Sequence, residues 1–484
     1  MNVITRTLLL VSLASFPALG LAQQIGPQAG QQIGQQIGET GYGPMSTGYV
    51  DFLAGLAYTD NALLTAGGQR NDGIGTVGFD ADYARHGTLS INLLGNIDRL
   101  QYIRNSFSGS FYGNFKGDAL WGTPSDPLQW LLSDSFGEGM VDPLAASTPT
   151  NLQWVNQVTT GPYLNLNFGL RNRFTLYGLY GRSDYQTSPY SSQTYEGGAE
   201  ITHQLAGSTS LSLQASDART AYLDPSALIG TPGHGSAYYI KQAQIEFQGQ
   251  YVRTNVTLGA GYNIIDYAGH QHGAPYYNVQ LSRSISPFTT VFVGAQSSYS
   301  SFGGSMQSPT ALLSVEGGVP QGAGFITSSP FQERMATAGV NFHRVLTTVT
   351  LSGIYQEDLY TQQSQYDNRD ATADLTIGRQ LRPTVSLQLQ VYGSYEDYTH
   401  YHAHTRRISA MLTLSKQLAR TTFGLYVRGT QQSGAPGVSS FNAASYHDIE
   451  VGVYFTYDLF GQRNPGGSGA GLAMGGLGLP GGAL

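Results

Sequence analysis

The feature that most constrains this chain is a repeated unit of about ten residues in which apolar and polar side chains alternate, followed by a turn, from about residue 49 to residue 460. In the final unit one face of the predicted strand carries Ile449, Val451, Val453, Phe455, Tyr457 and Leu459. The other face carries Asp448, Glu450, Gly452, Thr456 and Asp458, with Tyr454 as its one apolar exception. Because strand side chains alternate with period two, each unit has one apolar and one polar face. So many half-apolar strands, with no second layer to cover them, predict a closed barrel with lipid outside and water inside.

The predicted fold class is therefore all-β: a transmembrane, antiparallel, up-and-down barrel of about 16–20 strands, with 18–20 favoured. Long connections are expected near residues 60–72, 137–152, 223–235, 301–330 and 430–442. Short connections are expected near residues 85–87, 170–173, 206–208, 286–287, 344–347, 381–383 and 418–421. Short periplasmic turns and longer outer loops are typical of outer-membrane barrels. Residues 106–136 are ambiguous, because they could form two strands or one strand and a constriction loop.

Composition supports a membrane barrel over a soluble fold. Charged residues are 11% of the chain, against about 25% in soluble globular proteins. A soluble β-sandwich remains the alternative, but it would need turns about every 8–12 residues and a core of larger aliphatic side chains. The net charge of -7 and the lack of a basic cluster argue against nucleic acid as a partner. Partners of the predicted barrel are outer-membrane lipid, lipopolysaccharide and the barrel-assembly machinery.

The chain divides into four predicted segments. Residues 1–22 are typical of a secretory signal peptide, with Arg6 as the charge and a small-x-small cleavage site ending at Ala22. Residues 23–45 form a Gln- and Gly-rich leader that we expect to be disordered. Residues 46–460 form the barrel, and residues 461–484 form a Gly-rich tail that we also expect to be disordered. These features predict the outer membrane of a Gram-negative bacterium as the location.

Alternation also predicts which side chains face the lumen. The predicted lumen-lining residues are Asp80, Asp82, Asp98, Gln242, Gln244, Glu246, Gln248, Asp374, Gln388, Gln390, Arg407, Arg428 and Glu450. Acids outnumber bases, whereas a pore for a polyanion would need rings of Arg or Lys. Side-chain amides can exchange hydrogen bonds with sugar hydroxyls, which favours a neutral or weakly charged glycan. The simpler interpretation is that any wet wall needs polar residues. Interfacial aromatic girdles are predicted from Tyr102, Trp121, Trp154, Tyr251, Tyr355 and Tyr395.

Several short motifs indicate a family. Glu450, Gly452, Phe455 and Tyr457 match the spacing of the C-terminal signal by which outer-membrane barrels are recognised for insertion. Leu56 to Asn61 closes the first strand, and Thr148 to Asn151, Asn156 and Gly161-Pro162-Tyr163 follow a long loop. With the strand spacing, these stretches resemble the β-barrel porins associated with exopolysaccharide and PEP-CTERM (exosortase) operons. The resemblance implies a barrel associated with polysaccharide export, with polysaccharide and periplasmic export components as partners.

The loop at residues 301–330 carries apolar Leu312, Leu313, Val315, Val319 and Phe325 between Gly-rich flanks. One hypothesis is that it folds inward and narrows the pore, as the 137–152 loop could also do. The alternative is an outer loop that packs on its neighbours. Both remain open from the sequence.

No chemistry of catalysis is evident. His400, His402 and His404, and His270 with His272, have the only metal-like spacings, and polar outer loops explain them better. We expect no metal, no cofactor and no enzyme activity. Three hypotheses remain: a polysaccharide conduit or general diffusion porin, a plugged structural or adhesive barrel, and a membrane-embedded hydrolase.

Overall fold

A computed structural model of the chain describes residues 45–123, 125–142, 145–228, 237–267, 269–301, 326–434 and 445–459. The predicted signal peptide, nearly all of the leader, the C-terminal tail and the apolar residues of the 302–325 stretch lie outside the described residues. Within the described ranges, no helix is long and apolar enough to cross a membrane.

The strands of the first half of the chain are β1 (Met45–Thr59), β2 (Asp72–His86), β3 (Leu89–Tyr102), β4 (Ser110–Tyr112), β5 (Phe115–Trp121), β6 (Leu128–Met140), β7 (Leu152–Phe168), β8 (Asn172–Tyr185), β9 (Ser192–Ala206) and β10 (Thr209–Tyr222). Those of the second half are β11 (Tyr238–Tyr251), β12 (Thr254–Tyr267), β13 (His270–Ser286), β14 (Thr289–Ser300), β15 (Phe331–Arg344), β16 (Thr347–Tyr360), β17 (Asn368–Arg382), β18 (Val385–Tyr398), β19 (Ala403–Gln417), β20 (Thr421–Gly434) and β21 (Tyr446–Asp458). Two short 3₁₀ turns, η1 (Pro225–Leu228) and η2 (Ser364–Tyr366), lie in loops.

The strands form one closed antiparallel sheet. Apart from β4 and β5, each strand pairs with its neighbours in sequence, and β1 also pairs with β21 from Asp51 opposite Asp458 to Thr59 opposite Glu450. β4 and β5 both pair with β3 in one continuous register, so together they fill a single place in the ring. The barrel therefore has 20 strand positions. The predicted all-β barrel is confirmed, and residues 106–136 contribute two strand positions.

The two faces of the wall differ as the alternation predicts. On β21, Ile449, Val451 and Val453 expose 53%, 42% and 51% of their surface. On the other face of the same strand, Asp448 and Glu450 point inward and are at most 2% exposed. A closed barrel with an apolar outer face and a polar inner face spans a membrane, because neighbouring strands satisfy each other's backbone hydrogen bonds. This architecture locates the protein in an outer membrane.

Tyr454, the apolar exception on the polar face of β21, also lies inside. It is paired with Gly424 on β20, and its ring occupies the space where a side chain at Gly424 would lie. Two residues along, Tyr426 on β20 covers Gly452 on β21 in the same way. Each tyrosine thus lies flat on the wall over the bare backbone of the opposite strand.

Connections at one end of the barrel are short. Nine turns, from the β2–β3 turn to the β19–β20 turn, lie at this end with both described termini. Loops at the other end reach 30 residues between β14 and β15. Short turns are periplasmic in such barrels, so the loop end is the outer end. Two predicted connections, 137–152 and 430–442, began too early, because β6 continues to Met140 and β20 continues to Gly434.

A local opening in the wall lies near its outer end, between β4 and β6. β5 pairs with β6 from Phe115 opposite Phe136 to Trp121 opposite Trp130, but no pairing joins β4 to the outer end of β6. Val141 N–H donates to Asn151, so the backbone of Met140 points away from β7 and toward this unpaired edge. The last residues of β6 therefore offer backbone groups that another segment can use.

Candidate functional site

The inner wall between β8 and β13 carries a continuous network of side-chain amides. Gln242 donates to Gln244, and Gln244 Nε2 donates to Gln214 Oε1 at 2.8 Å. Gln214 Nε2 then donates to the Tyr177 hydroxyl at 3.3 Å, and that hydroxyl donates to Glu196 Oε1 at 3.1 Å. Gln244, Gln214 and the Tyr177 hydroxyl each donate one hydrogen bond and accept another, which fixes their orientation.

A second chain lies beside the first. Gln280 Nε2 donates to Asn278 Oδ1 at 3.0 Å, and Asn278 Nδ2 donates to Glu246 Oε2 at 3.4 Å. Gln248 Nε2 donates to the other oxygen of Glu246 at 2.7 Å. Gln248 and Gln280 are half-buried, whereas Gln242 and Gln244 are buried. We call the six amide residues of the two chains, together with Glu246, the amide wall: Gln214, Gln242, Gln244, Glu246, Gln248, Asn278 and Gln280.

The structure places all thirteen predicted lumen residues on the strand face opposite the exposed apolar side chains, but their exposure differs. Seven are buried: Asp80, Asp98, Gln242, Gln244, Glu246, Arg428 and Glu450. Five are half-buried: Gln248, Asp374, Gln388, Gln390 and Arg407. Asp82 is exposed. Alternation gives the face of each residue, whereas its neighbours decide whether it meets open space.

Some of these residues contact one another. Arg428 donates to Glu450 at 2.5 Å, with 4% and 0% of the two side chains exposed. Gln390 Nε2 donates to Asp374 Oδ2 at 2.9 Å. The prediction of lumen-lining residues from the sequence did not include Gln214, Asn278 and Gln280. Each of them nevertheless occupies an inward position in the alternation of its strand. Of the four residues of the predicted insertion signal, Glu450 and Gly452 face inward, and Phe455 and Tyr457 face outward.

A short segment crosses the lumen near the outer end. Residues 326–330, which we call the strap, directly precede β15, and all five are buried. Ile326 packs against Val155 of β7, and its N–H donates to the Met140 carbonyl at 3.1 Å. This carbonyl lies on the unpaired edge of β6 described above. The described part of the 301–330 loop therefore folds inward.

The other end of the strap is fixed to the loop after β16. Thr361 N–H donates to the Pro330 carbonyl at 3.0 Å, and Gln362 N–H donates to Ser329 Oγ at 3.2 Å. In the middle, the Tyr222 hydroxyl at the end of β10 donates to the Ser328 carbonyl. The strap thus touches three parts of the wall.

The strap is a short chord of the barrel. β7 and β15 are eight strand positions apart, which is about 38 Å along the wall at about 4.8 Å per strand. Five residues can span only about 18 Å. The strap therefore runs across the lumen as a chord rather than along the wall.

Outer loops meet above the strap. The ring of Tyr366 in η2 is tilted against the ring of Tyr401, in the loop before β19, with the centroids 6.0 Å apart. Burial, Tyr366 and then Asp142 of the β6–β7 loop raise the pKa of Tyr401 to about 12. Burial, with Tyr366 nearby, also raises the pKa of Tyr190 in the β8–β9 loop. Loops from opposite sides of the barrel are therefore close enough to interact electrostatically.

Six strands carry an inward, buried tyrosine at their outer ends, and we call these residues the tyrosine collar. They are Tyr102, Tyr238, Tyr267, Tyr360, Tyr398 and Tyr446, none more than 4% exposed. The prediction of an interfacial position for Tyr102 is wrong, because Tyr102 shares the inward parity of Asp98 on β3. Trp121, Tyr251 and Tyr355 do face outward, with 67%, 53% and 47% exposed.

Within the part of the chain that the structure describes, no group of three or more His, Asp or Glu residues is arranged to hold a metal ion. His270 and His272 lie at the outer end of β13 rather than in a loop. His404 packs against the Tyr395 ring, 5.7 Å between centroids.

No protein-family model matches the chain, and no curated protein matches it. Among solved structures, the FrpB iron transporter from Neisseria meningitidis (F5-1 variant) is similar at 10% identity, with 85% of this chain and 82% of that chain covered and a TM-score of 0.40. The siderophore receptor PirA from Pseudomonas aeruginosa is similar at 9% identity, with 86% and 81% covered and a TM-score of 0.39. The copper transporter OprC is similar at 10% identity, with 85% and 80% covered and a TM-score of 0.42.

Proposed function

We propose that this chain is an outer-membrane conduit for a neutral or weakly charged glycan, associated with exopolysaccharide export. The observation that carries the proposal is the amide wall. Its side chains are held in fixed orientations by their own hydrogen bonds, and half-buried Gln248 and Gln280 have surface to offer a sugar hydroxyl. Passage of a glycan along such a wall needs no covalent bond to be made or broken.

The strap favours a second candidate, a barrel whose outer end is plugged and whose outer loops bind polymer or other cells. It crosses the lumen, and its five residues are buried. The two candidates differ in one measurable property. A conduit conducts ions in a planar bilayer, at least intermittently, and a permanently plugged barrel does not.

The experiment is single-channel recording of the refolded chain with a neutral oligosaccharide, such as a dextran fragment, added from the periplasmic side. We expect transient blockades of the current, and fewer with a polyuronate of equal length. Replacing both Gln248 and Gln280 with Ala should shorten the blockades by about 2- to 10-fold, since a hydrogen bond contributes about 0.5–1.5 kcal/mol. Gln388→Ala, an inward glutamine on β18 outside the amide wall, is the matched control.

Absence of any conductance, even after removal of the strap, would reject the conduit. Equal blockade by polyuronate and neutral glycan would reject the proposed substrate class. The link to exopolysaccharide is tested in the cell, where deletion of the gene should reduce secreted glycan and leave polymer inside the envelope.

A further inference from the structure

The outer face of the wall carries an open depression of about 530 Å³ across β6 to β9. Its lining residues are Trp130, Thr160, Gly161, Pro162, Gly178, Leu179, Tyr180, Tyr195, Glu196 and Gly197. The side chains of Leu179 and Glu196 face inward and are buried, so these two contribute backbone. We call this depression the wall groove, and its volume is within the range of small-molecule sites.

The wall groove exists because its floor has almost no side chains. Gly178 of β8 is paired with Gly197 of β9. β7 and β8 are paired at Thr160 and again at Tyr163, but not at the two residues between, where Pro162 has no N–H to donate. A side chain at Gly161 would lie 2.0 Å from the Gly178 carbonyl oxygen, so only glycine fits there.

Aromatic side chains form the rim. The Tyr180 and Tyr195 rings lie 5.3 Å apart on one side. On the other side, Trp130 Nε1 donates to Thr160 Oγ1 at 2.8 Å, which satisfies the one polar atom of the indole. The space between the rims is therefore apolar and open to whatever faces the wall.

The part of the membrane that the wall groove faces depends on its position along the membrane normal. A tilted strand rises about 2.5 Å per residue along the membrane normal. Gly178 is six residues, about 15 Å, from the periplasmic end of β8 at Asn172. Four residues further out, about 10 Å, exposed Arg182 pairs with Asp184 at 2.8 Å and ends the apolar band. The wall groove therefore lies in the apolar band, on the side of the outer leaflet.

We propose that the wall groove binds one acyl chain of lipopolysaccharide. It is continuous with the lipid-facing wall, so hydrocarbon is the medium around it. A second copy of this chain is a poorer fit, because ten residues line the wall groove, whereas a stable protein interface needs about 20–30 residues on each side. The position above the mid-depth of the band favours a chain that descends from the outer leaflet over one from the periplasmic leaflet.

The test fills the wall groove without disturbing the wall. A side chain at Gly178 would meet no atom within 4 Å, so Gly178→Leu should occupy the space that the acyl chain uses. Gly429 on β20 also faces outward and also has nothing within 4 Å of its side-chain position. Gly429→Leu is therefore the matched control. If Gly178→Leu fails to fold, Gly197→Val replaces it, since its nearest neighbour is 4.0 Å away.

The readout is native mass spectrometry of delipidated protein titrated with lipid A or with dipalmitoyl phosphatidylethanolamine. The natural chain and Gly429→Leu should retain one lipid A, and Gly178→Leu should retain it about tenfold more weakly, because a leucine displaces two or so buried methylene groups. Equal retention by all three proteins would overturn the proposal. Stronger retention of the phosphatidylethanolamine than of lipid A would overturn the proposal in favour of a phospholipid. A dimer mass that Gly178→Leu abolishes would overturn it in favour of a second copy of the protein.

Discussion

The two halves of the lumen differ although the same alternating pattern builds both. At the outer ends of the strands, inward Tyr267, Tyr360 and Tyr398 are 0%, 4% and 1% exposed. At the periplasmic ends, inward Gln250, Asn255 and His343 are exposed. The outer half is packed with tyrosines and crossed by the strap, and the periplasmic half is open along β11, β12 and β15.

This difference shows that inward orientation alone does not give a residue access to the lumen. On β11, β12 and β15 an inward polar side chain near the periplasmic end meets open space, whereas on β21 Thr456 and Asp458 at the same end are buried. Candidate contacts for a solute are therefore concentrated in the periplasmic half and along the exposed edge of the amide wall, and the resistance to passage is concentrated at the strap.

The largest expected effect is on stability in the outer half. Tyr398→Ala should lower the free energy of unfolding by about 3–5 kcal/mol, because it removes a buried aromatic side chain. Gln250→Ala, at the open end of β11, should change it by less than about 0.5 kcal/mol. Urea unfolding in lipid vesicles, followed by tryptophan fluorescence, measures both. Similar losses for the two variants would remove the distinction between the halves.

The next effect concerns the strap. Deletion of residues 303–328 removes the strap residues that contact Met140, Val155 and Tyr222, so the single-channel conductance in planar bilayers should rise several-fold. Asp82→Asn, which leaves the outer half untouched, is the control for a general change in the pore. Unchanged conductance after the deletion would show that the strap does not limit the current.

A reversible version uses the absence of cysteine from the natural chain. Val155 and Ile326 pack together, so replacing both with Cys should allow a disulfide that holds the strap to β7. Under oxidising conditions the conductance should be lower than after addition of a reductant, and each single Cys variant should be indifferent to redox state. A conductance that reductant leaves unchanged would mean that the strap is not displaced when the channel conducts.

The smallest effect is on ion selectivity. Asp82 is exposed on the inner face near the periplasmic end, so Asp82→Asn should slightly reduce the preference for cations. Buried Asp98, in the outer half, should give no change when replaced with Asn. The reversal potential across a KCl gradient measures both, and an equal shift for the two variants would contradict the proposed division of the lumen.

The sequence predicted the faces of the wall well, for a simple reason. Period two is a local property of a strand, so Gln242, Gln244, Glu246 and Gln248 had to share a face. It could not predict that Gln244 would be buried and Gln248 half-buried, because that depends on Gln214 and Asn278, which come from other strands. Tyr102 shows a different failure: its position near a strand end suggested an outer girdle, yet its parity with Asp98 already indicated the inside.

The strap lay beyond sequence reasoning for a physical reason. Ile-Thr-Ser-Ser-Pro has no periodicity and resembles any polar loop. It docks on Met140 because β4 leaves the outer end of β6 unpaired, and that opening is a property of three strands together. The sequence alone could therefore not distinguish an inward from an outward position of the loop, because the choice depends on how β4, β5 and β6 are arranged.

The two tyrosine–glycine pairs of β20 and β21 have a consequence for how the ring closes. A slip of one residue would turn β21 inside out, but a slip of two residues would preserve both faces, so alternation alone permits it. In one direction such a slip would set Tyr426 against Tyr454, where two rings would compete for one space. In the other direction Tyr426 would face Glu450 and Tyr454 would face Thr422, so neither ring would lie over its glycine. The two tyrosine–glycine pairs therefore favour a single register between β20 and β21. Because the stagger of the strands determines the girth of a closed barrel, two flat aromatic rings help to set the width of the whole molecule.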